Sequence, residues 1–320
     1  MSAPAISVVI PMKDEQDGLS ILFSRLIPIL EGLGRPYEIV CVNDGSTDNT
    51  VAALIGMQRK HPQITIVDLS RNFGKEAALT AGIQHARGAA VIPLDADLQD
   101  PPELIPDMVA KWDAGAEVVL AIRCRRDTDT PFKRWTAKTF YRLINRMSEV
   151  PIPPNAGDFR LMSRQVVDAL LSLPERNRFN KGLFAWLGFD TATVEYERPQ
   201  RENGHSKWAY RRLWTFAMDG VTAFSSLPIR IWTYIGLAFA AFALFYGAVM
   251  IFRALFLDNI GVPGYASLMV SILFSSGVIL TGLGVVGEYI SRIYVEVKQR
   301  PLYIVRGVIR KDSSTESADA

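Results

Sequence analysis

Two aspartates one residue apart, Asp95 and Asp97, end an apolar run over residues 89–94. The run is made of small and β-branched side chains, the composition of a strand covered on both faces. Carboxylates at the carboxyl end of a buried parallel strand lie where open α/β sheets take their ligands. A pair spaced D-x-D can converge on a hard divalent cation, Mg²⁺ or Mn²⁺. Such a cation keeps some waters and fills its remaining positions with substrate phosphates. That chemistry is a metal–diphosphate site. The same residues also suit a polar turn with a helix cap, because Asp favours both. Taken alone, the spacing leaves both readings open.

The surrounding pattern bears on the choice. Short apolar runs at 6–11, 37–42, 64–69, 90–94 and 118–122 read as strands. Helical patterns lie between them; the first begins near Gly18 and puts Leu19, Leu22, Phe23, Leu26 and Leu30 on one face. Strands alternating with helices at this spacing predict crossover units and a mostly parallel α/β sheet. Each strand exit is polar: Lys13 and Glu15, Asp44, Arg71 and Lys75, Asp95 and Asp97, Arg123. Five polar exits on one sheet edge weaken the reading of D-x-D as a chance turn. Further on, the spacing predicts a turn at 157–160, a helix from Arg164 capped by Ser163, and a strand over 192–200.

Charge is nearly balanced, with 35 Lys plus Arg against 33 Asp plus Glu. A general nucleic-acid binder would show a dominant basic excess. Cys41 and Cys124 sit in or beside apolar runs and read as small buried hydrophobes rather than a disulfide or metal pair. The apolar start is too short for a signal peptide, so the N-terminal part is expected in the cytoplasm. Residues 126–150 interleave basic and aromatic side chains, as a helix at a membrane surface would. Residues 231–252 and 265–286 are charge-free runs of membrane-spanning length. Basic flanks on both sides put the catalytic part and the C-terminal tail in the cytoplasm by the positive-inside rule.

ISVVIPMKDE, VNDGSTDNT, RNFGKEAALTAG and PLDADLQDPPE, in this order, resemble an inverting family 2 glycosyltransferase of the GT-A fold. NAGDFRLMSR, RENGHSKW and the two apolar runs narrow the resemblance to the polyprenyl-phosphate glycosyltransferases, nearer the bactoprenol glucosyltransferases than dolichol-phosphate mannose synthase. The resemblance covers roughly residues 5–310. It implies a Rossmann-like GT-A catalytic domain over 1–209, with a nucleotide half at 1–125 and an acceptor half at 126–209. A juxtamembrane segment would follow at 210–230, then transmembrane helices at 231–253 and 265–287, a loop at 254–264 between them, and a cytoplasmic tail at 288–320.

By that resemblance the nucleotide sugar lies against Pro11, Lys13, Glu15 and Asp44, with Lys75, Asp95 and Ala96 completing the donor site. Asp95 and Asp97, with Gln99 as a third oxygen donor, would hold Mg²⁺ or Mn²⁺, and Asp158 would serve as base. Two phosphates must approach one another, so cations are required. Arg123, Arg134, Arg201 and Lys207, with the Ser206 hydroxyl, are the candidates. The implied reaction moves a hexose, foremost glucose from UDP-glucose, to undecaprenyl phosphate at the inner membrane, in a homotetramer. Mannose from GDP-mannose and a UDP-aminopentose stay open. A processive polysaccharide synthase is disfavoured, since SKWAYRRLW lacks the Q-x-x-R-W motif. A non-catalytic membrane anchor is disfavoured by the intact acidic cluster.

Overall fold

The computed structural model describes residues 4–123, 156–173, 175, 183–184, 186–196, scattered positions within 232–256, and 264–310. Eight strands form one sheet in the order β7-β5-β6-β4-β1-β2-β3-β8. They are β1 (Ile6–Met12), β2 (Tyr37–Asn43), β3 (Ile64–Leu69), β4 (Ala90–Pro93), β5 (Val118–Arg123), β6 (Ala156–Ser163), β7 (Thr191–Tyr196) and β8 (Val305–Ile309). The helices are α1 (Leu19–Gly32), α2 (Thr50–Lys60), α3 (Lys75–His85), α4 (Ile105–Asp113), α5 (Arg164–Ser172) and α6 (Tyr265–Lys298). A single 3₁₀ turn, Pro102–Leu104, leads into α4.

The expected α/β sheet is present and mostly parallel. β1 pairs in parallel with β2 and β4, β2 with β3, and β5 with β7. β6 runs antiparallel to both β4 and β5, so those two point the same way. Strands β1–β5 and β7 therefore all end at one edge, and β6 begins there.

Helices cover both faces, which is why the strands read as continuous apolar runs. One core layer joins Val8, Ile10, Ile39 and Ile92 to Leu22, Phe23 and Leu26 of α1, Leu54 of α2 and Met108 of α4. The other joins Val9, Val42, Val67 and Val91 to Leu79 of α3 and Val166, Val167 and Leu170 of α5. Gly82 lets α3 sit directly on the sheet, since a Cβ there would come within 2.2 Å of Val9 Cγ1.

Two departures from expectation matter for the site. Residues 157–160 are not a turn; they open β6. Phe159, Arg160, Leu161 and Met162 are all buried, so the strand lacks the alternation that marks a half-exposed one. The buried arginine hid it. The second departure is at the C-terminus. α6 runs on to Lys298, past the expected end near 287, and the chain then returns to the sheet as β8, antiparallel to β3. Gln58 Nε2 donates to the Ile309 carbonyl, and Ser70 N donates to the Ile304 carbonyl. Arg306 donates to the Ser70 carbonyl and lies 3.3 Å from Asp68. This segment is an integral strand rather than a free tail.

Among the described residues one helical stretch, Phe274–Lys298 within α6, is long and apolar enough to cross a membrane, and none of it is buried in the protein. The first expected span falls largely outside the described residues. Its described positions are helical, and Tyr234, Leu237, Phe242 and Phe245 are exposed. The segments 126–150 and 210–230 lie outside the described residues.

Candidate active site

The common sheet edge gathers the polar strand exits. The β4–β6 ladder pairs Ala90 with Ser163 and Val91 with Met162. Carried past the end of β4, that register sets Asp158 opposite Asp95. The two carboxylates are joined by Lys75, the first residue of α3. Its Nζ lies 2.8 Å from both oxygens of Asp95 and 2.9 Å from Oδ2 of Asp158. Burial by itself would lower the Lys75 ammonium, but the charges of Asp158 and Asp95 outweigh it and hold it above the ordinary lysine range. Burial raises the Asp95 carboxyl above its usual value, with Lys75 opposing and the Asp158 and Asp100 charges adding to the rise.

Asp97 is exposed, and its Oδ1 accepts from the Gln99 backbone N–H at 3.1 Å. Between them Leu98 has φ 53°, a left-handed conformation unusual for a branched side chain. Asp14, at the end of β1, has φ 55°. Both left-handed residues lie just past strand exits of the same sheet edge. Behind the D-x-D loop, buried Tyr196 of β7 donates to buried Asp100 and ties that loop to the far strand.

On the nucleotide side, Lys13 Nζ lies 2.6 Å from Asp14. Hydrogen bonds from Lys13 and then from the Thr47 N–H bring the Asp14 carboxyl down to about 2. Glu15 is half-buried and its carboxyl is raised, first by burial and then by the charges of Asp97, Asp48, Asp14 and Asp95. Pro11 sits within β1 opposite Val42, and Ala96 is partly buried against the core.

Asp44 has a structural part beside the one expected for it. It is 4% exposed, and its two oxygens accept from the Phe73 and Gly74 N–H groups at 2.7 and 3.0 Å. It braces the loop that launches α3, and so positions Lys75. Gly45 beside it has φ 64°, and a Cβ there would stand 2.5 Å from Asn72 N. Asp48 stabilises the start of α2, accepting from the Thr50 N–H at 3.0 Å.

Arg160 was not among the expected site residues. It is buried, its guanidinium lies 3.9 Å over the Phe184 ring, and it donates to the Gly157 carbonyl at 2.7 Å. Burial brings it down to about 10, against the opposing charges of Asp158 and Glu76. It fixes the start of β6 and with it Asp158. An arginine among the apolar residues Phe159, Leu161 and Met162 was the signal available in the sequence. Arg123 closes β5 at this same edge, paired with Tyr196. Arg134, Arg201, Ser206 and Lys207 lie outside the described residues.

The donor set suits a hard cation: carboxylate oxygens, with no histidine or thiolate. Among the described residues no three acidic, histidine or cysteine groups converge to hold an ion alone. A cation resting on Asp95 and Asp97 would therefore draw its other ligands from phosphate and water. Burial first, and then the neighbouring carboxylates, raise the Glu15 carboxyl at the same edge.

Comparison with known proteins decides the family. Residues 7–171 match the model for glycosyl transferase family 2, and residues 227–293 match that for the GtrB C-terminal hairpin. The chain belongs to glycosyl transferase family 2. It is 49% identical over 301 residues to the SfII prophage-derived bactoprenol glucosyl transferase of Shigella flexneri, covering 94% of this chain and 97% of that one. It is 54% identical over 300 residues to a glycosyltransferase of Synechocystis sp., covering 94% of each. Mannosyl-3-phosphoglycerate synthase from Rubrobacter xylanophilus is a solved structure with TM-score 0.48 and 20% identity, over 69% of this chain and 72% of that one. The acidic edge is thus the candidate site in a chain of a glycosyltransferase family.

Proposed function

We propose that this enzyme transfers glucose from UDP-glucose to a polyprenyl phosphate, foremost undecaprenyl phosphate, with inversion at the anomeric carbon. The observation that carries the reading is the convergence of Asp95, Lys75 and Asp158 at the sheet edge, in a chain 49% identical to a bactoprenol glucosyl transferase. The uridine diphosphate would lie along the exits of β1 and β4, near Glu15, Asp95 and Asp97. A bound Mg²⁺ or Mn²⁺ would supply charge neutralisation for the departing diphosphate. Asp158 faces the cleft from β6, where it would orient the acceptor phosphate or take its residual proton. The second pKa of a phosphate monoester is about 6, so the attacking oxygen is largely charged already near neutral pH. Asp158 is therefore a positioning group more than a strong base, and Asp158→Asn should retain partial turnover.

The acceptor's hydrocarbon requires a membrane. The uncharged part of α6, residues 265–287, would be about 34 Å long, enough to cross a hydrocarbon core of about 30 Å. Because β8 pairs with β3, both ends of the intervening chain lie on one side of any bilayer. That pairing favours an even number of crossings, α6 and one earlier in the chain. The match of 227–293 to a hairpin model supports two spans. The positive-inside rule puts the catalytic side in the cytoplasm.

The test is direct. Purified full-length protein in detergent is given radiolabelled UDP-glucose, GDP-mannose or a UDP-aminopentose, with undecaprenyl phosphate, with and without Mn²⁺. Metal-dependent labelling of the lipid from UDP-glucose alone is expected. Labelling from another donor would replace the sugar assignment, and no lipid product from any donor would end the proposal.

A further inference from the structure

We infer that Lys75 is a built-in counter-cation that occupies Asp95 until a divalent ion displaces it, so that metal binding and the setting of Asp158 are one linked event. The inference rests on the metal reading of Asp95 and Asp97 given above. Its basis is geometric. Lys75 Nζ is 2.8 Å from both oxygens of Asp95, so a metal on that carboxylate competes with the lysine for its charge and is repelled by the ammonium. The same ammonium is 2.9 Å from Asp158 Oδ2, so the displaced charge has a second carboxylate already in hand.

The lysine is held there against local preference. A cation at the first position of a helix opposes the helix dipole. The backbone places it there all the same, because Gly74 takes φ 96° and Asp44 grips the N–H groups of Phe73 and Gly74. In the absence of metal Lys75 offsets the repulsion between Asp95 and Asp158, which keeps the acidic edge folded. On metal binding it is released toward Asp158 and the incoming phosphates. Lys75 is thus a positioning residue whose partner changes.

An opposite charge at this distance changes a carboxylate's affinity for a competing cation by about tenfold or more. The measurement is Mn²⁺ affinity of the full chain in detergent with UDP present, read by the electron paramagnetic resonance of free Mn²⁺. Lys75→Met should bind Mn²⁺ about tenfold more tightly than wild type, although its turnover falls, and Lys75→Arg should stay near wild type. Asp158→Asn, which leaves Lys75 wholly to Asp95, should weaken Mn²⁺ binding. In the Lys75→Met background that same change should have little effect, because the two act through one contact. The rise in melting temperature on adding Mn²⁺ should also be larger for Lys75→Met than for wild type. Unchanged or weaker Mn²⁺ binding by Lys75→Met, or additive single and double variants, would overturn the inference. Asp97→Asn separates the two levels. If it loses Mn²⁺ while Lys75→Met gains nothing, only the linkage falls. If it keeps Mn²⁺, the metal reading falls and takes the linkage with it.

Discussion

At the scale of single residues the site works by uneven charge. Three carboxylates, those of Asp95, Asp97 and Glu15, share one cleft edge with Lys75 as the cation beside them. Asp97→Ala should abolish turnover, because under the proposed function this exposed carboxylate at the strand exit helps to hold the cation. Retained activity with unchanged Mn²⁺ dependence would contradict this. Glu15 gives a pH prediction. Its carboxyl is raised above 4.5 in the folded protein, first by burial. The folded state then holds that proton more tightly than the unfolded chain, so Glu15 costs stability as pH rises through the window above 4.5. Glu15→Gln removes this cost. The variant should melt higher than wild type at pH 7, with the gap closing at pH 4. An equal gap at both values would show that the charge is not the cause.

At the scale of elements, loops joined across the sheet edge position the chemistry. The loop after β2 holds the loop after β3 through Asp44 and through the close approach of Gly45 to Arg71 and Asn72. Gly45→Ala would place a Cβ 2.6 Å from the Arg71 carbonyl carbon in a left-handed backbone. The conformation costs about 1 kcal/mol and the crowding about 1–3 kcal/mol more. The variant should melt several degrees lower and bind UDP more weakly, because α3 and Lys75 move with that loop. A wild-type melting curve would refute the contact. The sequence made this region legible as turns and strand exits. It did not reveal that Asp44 grips the loop after β3, because a carboxylate at a strand end looks the same in sequence whether or not a neighbouring backbone bonds to it.

At the scale of the whole molecule the decisive element is β8. It closes the exposed edge of β3 after a helix of 34 residues, about 51 Å long. The end of the catalytic sheet is thereby coupled to the apolar helix. Deleting residues 301–320 strips the edge of its backbone partners and should lower the melting temperature by about 5 °C, a loss of about 2 kcal/mol. An unchanged melting temperature would mean that the strand is not held in solution. The pairing also fixes sidedness. In inside-out membrane vesicles a tag fused after Ala320 should be cut by protease together with the catalytic domain. Protection of the tag alone would exclude β8 from the sheet.

The amino-acid sequence by itself determined the alternation of strands and helices, because apolar runs of these lengths bury well only in a covered parallel sheet. It determined the acidic edge, because the exits of parallel strands must share one side. It did not determine β6 or β8. The first is covered on both faces and carries a buried arginine, so no periodicity marks it. The second is five residues long and has a partner more than two hundred residues away. Only the folded chain could decide that Asp158 stands opposite Asp95 with one lysine between them. That contact depends on register across an antiparallel pair, and register belongs to two strands at once.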